Sequence, residues 1–150
     1  MQNHGHLSRD ERKVTRQNIK DWQVLIVDDK IDNLALVEAA LRYHGATIRT
    51  AHSGVEGLEI LETFEANLIL LDLAMPEMTG WEMFEKIREQ SKLDNVPVIA
   101  LTAHAMQGDK ERVLEAGFTG YIPKPFSVAT IVSDIQAILA KIDNQEQGTV

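Results

Sequence analysis

The chain has 150 residues, 44% of them hydrophobic and 25% charged, with a formal net charge of −8, values ordinary for one globular domain with a real core. The absence of cysteine excludes a disulfide scaffold and thiolate metal sites and fits a cytoplasmic protein, while the lack of a long apolar run and the polar amino terminus exclude a membrane span and a signal peptide. Residues 1–20 carry five Lys or Arg against two Asp or Glu, so the net −8 balances +3 there against −11 over residues 21–150; so acidic a body disfavours nonspecific nucleic-acid binding.

Residues 1–21 have few large apolar side chains and read as a polar, basic extension. Ser8 and Glu11 have capping-box spacing for a polar helix over 9–20, but isolated helices of that length are marginal in water. His4 and His6 in such a tail are weak evidence of metal binding, and the basic charges read as a solvated tail before they read as a partner-binding arm.

A folded domain is expected over residues 22–142. Val24–Val27 forms a continuous apolar strand ending in Asp28 and Asp29. Ile31, Leu34, Ala35, Val37 and Leu41 follow at helical spacing, and Gly45 stops that helix. Ala46–Ala51 alternates as a short edge strand. Ser53 and Glu56 form a capping box for a helix to about Thr63. Leu68–Leu71 has no polar residue on either face, as expected for a strand covered by helices on both sides; it ends in Asp72, with Pro76 and Gly80 closing the loop that follows. Thr79 and Glu82 repeat the capping-box spacing ahead of Met83, Phe84 and Ile87. Val96–Leu101 is a strand ending in Thr102, residues 106–116 a helix stopped by Gly117, Thr119–Ile122 a fifth strand, and Ser127–Lys141 a last amphipathic helix. Residues 143–150 read as a polar tail. The chain then stops without an output domain, and its opening Met leans towards a single-domain protein over a fragment.

Strands too short and connections too long for hairpins argue an α/β fold: a doubly wound five-stranded parallel sheet with helices on both faces and right-handed crossovers. The flavodoxin-like order 2-1-3-4-5 is the natural expectation, and it makes strands one and three neighbours. Asp28, Asp29 and Asp72 then converge at the carboxyl edge of the sheet, where ligands bind in such folds.

Three carboxylates in one crevice repel each other and raise one another's pKa, which implies a cation. Oxygen donors with positions left for water suit Mg²⁺, or Mn²⁺ in its place. Lys124, between Pro123 and Pro125 after the fifth strand, brings an ammonium to the same edge on a stiffened loop, and Thr102 brings a hydroxyl. A Lys124–Pro125 cis bond is expected, since X–Pro is the junction where cis is cheap and a sharp turn would aim the ammonium at Asp72.

These residues resemble a known family. Asp28-Asp29, Asp72 followed by Met-Pro and Gly80, Thr102-Ala103 and Lys124-Pro125 are similar to the receiver domain of two-component response regulators over residues 22–142. The run Ala-Leu-Thr-Ala-His-Ala-Met-Gln-Gly-Asp is more like receivers of hybrid kinases and single-domain receivers than those of transcription factors. The resemblance supports the strand order and the cis proline at Pro125. It implies that Asp72 takes a phosphoryl group from a phosphohistidine on a histidine kinase or histidine phosphotransfer protein. It further implies that Mg²⁺ is held by Asp29, Asp72 and the Ala74 backbone carbonyl, with Asp28 acting through water. Lys124, Thr102 and Ala103 would contact the phosphoryl group, and Thr102 and Tyr121 would form a switch pair, although from sequence alone Tyr121 reads as a half-buried strand aromatic. Ala74 and His104 hold positions that vary among receivers and border the path of hydrolytic water; Ala74 leans towards slow hydrolysis.

Other readings fit less well. A flavin carrier needs a hydroxyl- and glycine-rich loop where this chain has Asp-Asp-Lys-Ile-Asp, an Asp phosphatase wants a second acid at Ala74, and no Gly-Lys-Ser/Thr loop exists for a nucleotide. A noncatalytic receiver-like binding module, the runner-up, would have lost an acidic position or the lysine, and all are present. The reading is of a phosphoacceptor that assists its own phosphorylation and dephosphorylation, a signalling protein and not a classical enzyme.

Overall fold

The computed structural model describes residues 18–104 and 108–148. Five parallel strands, β1 (Gln23–Val27), β2 (Thr47–Ala51), β3 (Leu68–Asp72), β4 (Val98–Thr102) and β5 (Gly120–Pro123), form one sheet in the order β2-β1-β3-β4-β5. Five helices alternate with them: α1 (Ile31–Tyr43), α2 (Gly54–Leu61), α3 (Gly80–Arg88), α4 (Asp109–Ala116) and α5 (Val128–Gly148).

The period of two along each strand sorts the core into two layers. Val24, Ile26, Leu68, Leu70, Ile99, Leu101 and Ile122 pack against α1 and α5 through Leu34, Val37, Leu41, Ile131, Ile135 and Leu139. Leu25, Val27, Ile69, Leu71, Val98 and Ala100 pack against α2, α3 and α4 through Leu61, Met83, Phe84, Ile87 and Val113. With both faces covered, β3 and β4 have no polar residue before their carboxyl ends, and β1 none after the exposed Gln23 at its start. Every residue of β3 is buried, Asp72 included.

Capping fixes the helix starts. Ser53 Oγ accepts the Glu56 N–H (3.1 Å). Thr79 and Glu82 close a reciprocal capping box at α3, the Thr79 N–H reaching Glu82 Oε1 at 2.9 Å and the Glu82 N–H reaching Thr79 Oγ1 at 3.2 Å.

Several boundaries differ from expectation: α2 ends at Leu61, short of Thr63, and β4 begins at Val98, not Val96. A short 3-10 turn, Ile19–Asp21, precedes β1, and Ile19 packs against the α1/α5 layer, so this part of the expected extension packs on the domain. The expected Ser8–Glu11 cap, His4 and His6 lie outside the described residues. The helix expected from 106 begins at Asp109 after Gly108, whose φ is 90°; positions 106 and 107 lie outside the described residues. Finally, α5 does not end at Lys141 but continues to Gly148, into the segment read as a polar tail. The sequence after Ile142 has no apolar stripe, but Asp, Asn, Gln and Glu do not break a helix as Gly or Pro does.

Gly80 sets where Asp72 lies relative to α3. A Cβ there would sit 2.7 Å from Leu73 Cα and closer still to the Asp72 carbonyl oxygen, and both neighbours are backbone in the buried end of β3. Gly80→Ala is therefore expected to cost about 1–3 kcal/mol or more by overpacking. Urea unfolding checks it; a loss below about 0.5 kcal/mol would mean the loop yields freely.

Candidate functional site

Asp28 directly follows β1 and Asp72 ends β3. Val27 is opposite Leu71 in the parallel ladder, so the two carboxylates are neighbours at the sheet edge. Asp29 joins them, and one oxygen from each of the three lies within 4.8 Å of the others. The strand alternation carries on past the apolar runs: Asp28, Asp72 and Lys124 keep the register that faces α1 and α5, whereas Thr102 and Tyr121 keep the register that faces α2–α4.

Lys124 is positioned by its own N–H, which donates to the Thr102 carbonyl at 2.8 Å. Its side chain is 17% exposed, and Nζ lies 3.0 Å from Asp72 Oδ1 and 3.1 Å from Asp28 Oδ2. The Lys124–Pro125 peptide is cis. Asp28, fully buried, also accepts the Lys30 N–H at 2.9 Å and Asn33 Nδ2 at 3.2 Å. Asp72 Oδ1 takes a second bond from the Ala74 N–H at 3.2 Å, leaving Oδ2 engaged by neither Lys124 nor Ala74. Asp29 differs: Lys30 Nζ is 3.6 Å from Oδ2 on a side chain 68% exposed, a contact weak in water, and the buried Oδ1 has no hydrogen-bond partner.

These surroundings perturb both partners of the central pair. Burial pushes the Asp72 carboxyl up to about 6, opposed by the Lys124 hydrogen bond and reinforced by the charge of Asp28. Repulsion between acids is thus a smaller cause than desolvation, which corrects the emphasis expected from sequence. Burial works to lower the Lys124 ammonium, but the hydrogen bond and charge of Asp72, followed by Asp28, hold it above its usual value.

A buried carboxylate oxygen without a partner, beside two more carboxylates, is a hard-oxygen donor set that fits a divalent cation. Ala74 is exposed beside it.

The remaining residues lie along the end of β4 and on β5. Thr102 is 2% exposed; Oγ1 accepts the His104 N–H at 3.0 Å and donates to Asp109 Oδ2 at 3.3 Å. Ala103 and His104 are exposed. Tyr121 is half-buried against the α2–α4 layer, with Lys110 Nζ 5.6 Å from its ring centroid. Sequence reasoning passed over Lys30, Asn33 and Asp109. Asn33 is readable in retrospect as a polar residue in the first turn of α1, five after Asp28; Asp109 carries no such signal, because its reach depends on where α4 starts.

The family model described as the response regulator receiver domain matches residues 24–136. A polar-differentiation response regulator, DivK, of Brucella ovis is 38% identical over 117 residues, covering 77% of this chain and 94% of the relative. Among solved structures, the chemotaxis response regulator CheY4 of Vibrio cholerae is similar at 32% identity and TM-score 0.74, covering 79% of this chain and 98% of the other. The receiver domain of a sensor histidine kinase of Pseudomonas aeruginosa PAO1, with a magnesium ion coordinated in its active site cleft, is similar at 34% identity and TM-score 0.70, with the same coverage. Among the described residues no helix is long and apolar enough to cross a membrane.

The raised Asp72 pKa has a definite sign in stability. The folded chain holds this proton more tightly than the unfolded one, so the associated stability is full below 3.8 and is lost as pH rises through about 6. In metal-free buffer Asp72→Asn, which cannot ionise, is expected to exceed wild type at pH 7 by on the order of 2–3 kcal/mol, with the gap closing by about pH 4. Urea melts at both pH values decide it, and equal stability at pH 7 or a gap that persists at the lower pH counts against it.

Proposed function

The chain belongs to the response regulator receiver domain family, and from that membership we propose that Asp72 is the phosphoacceptor of a two-component phosphorelay. The donor is a phosphohistidine on a histidine kinase or histidine phosphotransfer protein. The Asp72 oxygen not tied to Lys124 and Ala74 attacks phosphorus. A P–O bond forms, the P–N bond breaks, and the imidazole nitrogen leaves with the electron pair and takes up a proton. The product is an acyl phosphate on Asp72. Hydrolysis reverses the charge: water adds to phosphorus, the acyl P–O bond breaks, and inorganic phosphate leaves a free carboxylate.

Little covalent chemistry falls to the protein, so positioning and electrostatics carry the rate. Lys124, 3.0 Å from the nucleophilic carboxyl, is placed to pair with a phosphoryl oxygen, and the Ala74 N–H orients the carboxyl plane. Mg²⁺, or Mn²⁺ in its place, would be held by Asp29, Asp72 and the Ala74 carbonyl, with Asp28 acting through water, and supplies further positive charge against the phosphoryl oxygens. Asp28 suits the indirect role, being already engaged by Lys30, Asn33 and Lys124. At the exposed rim, Ala74 offers hydrolytic water only a methyl group, which favours a long-lived acyl phosphate, and His104 borders the same path.

The phosphoryl group also provides the switch. Thr102 and the Ala103 N–H lie on the neighbouring strand end, and a bond from the Thr102 hydroxyl to the phosphoryl group vacates space for the Tyr121 ring. The surface of α4, β5 and α5 then changes for a downstream protein. A minor active state of about 1–10% needs only a few kcal/mol of preference to dominate. The absence of cysteine agrees with a cytoplasmic setting.

The observation that carries this reading is the convergence of Asp28, Asp29 and Asp72 at one sheet edge, with the Lys124 ammonium between Asp28 and Asp72. Two measurements test it. Mg²⁺ at about 100 times its dissociation constant should stabilise the unphosphorylated chain by roughly 2.7 kcal/mol, and an unchanged melting midpoint at saturating metal argues against the metal. Incubation with acetyl phosphate and Mg²⁺ should add one phosphoryl group at Asp72, with none on a folded Asp72→Asn variant; stable phosphate mapped by mass spectrometry to Asp28 or Asp29 would overturn the assignment.

A further inference from the structure

We propose that Asp109 is a positioning residue that holds the Thr102 hydroxyl on α4, so that phosphorylation must take this hydroxyl from Asp109 before the switch can turn. The inference rests on the phosphoacceptor reading above. A threonine hydroxyl has one proton to give. Here it goes to Asp109 Oδ2 at 3.3 Å, while the oxygen lone pair receives the His104 N–H at 3.0 Å. Thr102 is 2% exposed and the Asp109 side chain 16% exposed, so water does not readily replace either partner. A phosphoryl oxygen on Asp72 therefore competes with a carboxylate already in place.

The same turn of α4 touches the rest of the switch. Lys110 lies over the Tyr121 ring. Arg112 Nη1 is 3.5 Å from Asp109 Oδ1, and its guanidinium carbon is 4.4 Å from the Trp81 ring centroid. Trp81 meets Phe118 edge-on at 5.6 Å, and Phe118 stacks on Phe84 at 3.9 Å. Three residues within four positions of α4 thus engage the site hydroxyl, the switch aromatic and the ring cluster of α3.

An acid in the first turn also stabilises a helix through its dipole, and that purely structural role predicts effects independent of residue 102. A double-mutant cycle separates the two. The full chain, with saturating Mg²⁺, is titrated with beryllium fluoride as the phosphoryl mimic in wild type, Asp109→Ala, Thr102→Ala and the double variant, with Trp81 emission and calorimetry as readouts. Asp109→Ala is expected to tighten the apparent affinity on the order of five-fold, the scale of one net hydrogen bond, and to have no effect once Thr102 is alanine. Asp109→Asn, nearly isosteric and still an acceptor but uncharged, is expected to fall between, and it carries the test if the alanine variant does not fold. Equal tightening in both Thr102 backgrounds, or none in either, overturns the inference. If folded wild type binds no beryllium fluoride at all, the phosphoacceptor reading fails and the inference with it; if wild type binds and the Asp109 variants match it, the inference alone fails.

Discussion

One ammonium shared by two buried carboxylates is the constraint on which the molecule depends. Lys124 lies within 3.1 Å of Asp28 and 3.0 Å of Asp72, and the third acid, Asp29, keeps one buried oxygen without a partner. A crevice with three acids and one tightly held base is under-compensated, which costs stability in the resting protein. The same deficit makes the crevice receptive to further positive charge, and burial that strains the resting pair strengthens every electrostatic contact made there during phosphoryl transfer. The sheet bears this cost because β1 and β3 are buried along their whole apolar lengths and cannot shift register without burying polar residues.

Legibility in the sequence follows the same division. Asp28, Asp72 and Lys124 could be placed because each ends an apolar strand, and strand ends survive errors of a residue or two in element boundaries. The parallel arrangement followed from connection lengths, and the strand order from the family resemblance. The capping box at Thr79 and the side-chain cap at Ser53 could be read because their partners are three residues apart in sequence.

What stayed hidden depends on helix phase and on contacts between elements. Asn33 reaches Asp28 only because the first turn of α1 folds back over the end of β1. Asp109 reaches Thr102 only because α4 starts at Asp109, directly after Gly108 with φ 90°. The extra length of α5 was missed because an apolar stripe reports burial, not helicity, and the polar sequence after Ile142 has no stripe to read. Desolvation as the first cause of the Asp72 shift also needed the fold, since sequence shows the number of charges but not their depth.

The two-layer core has a bearing on descent. Asp28, Asp72 and Lys124 share the strand register facing α1 and α5, while Thr102 and Tyr121 share the register facing α2–α4. On the proposed phosphoacceptor reading, a substitution beneath the first group would alter how the charge is held, and one beneath the second how it is broadcast. After a gene duplication, one copy can therefore acquire a new listener while keeping its old timekeeping, since the two properties are inherited through opposite faces of one sheet.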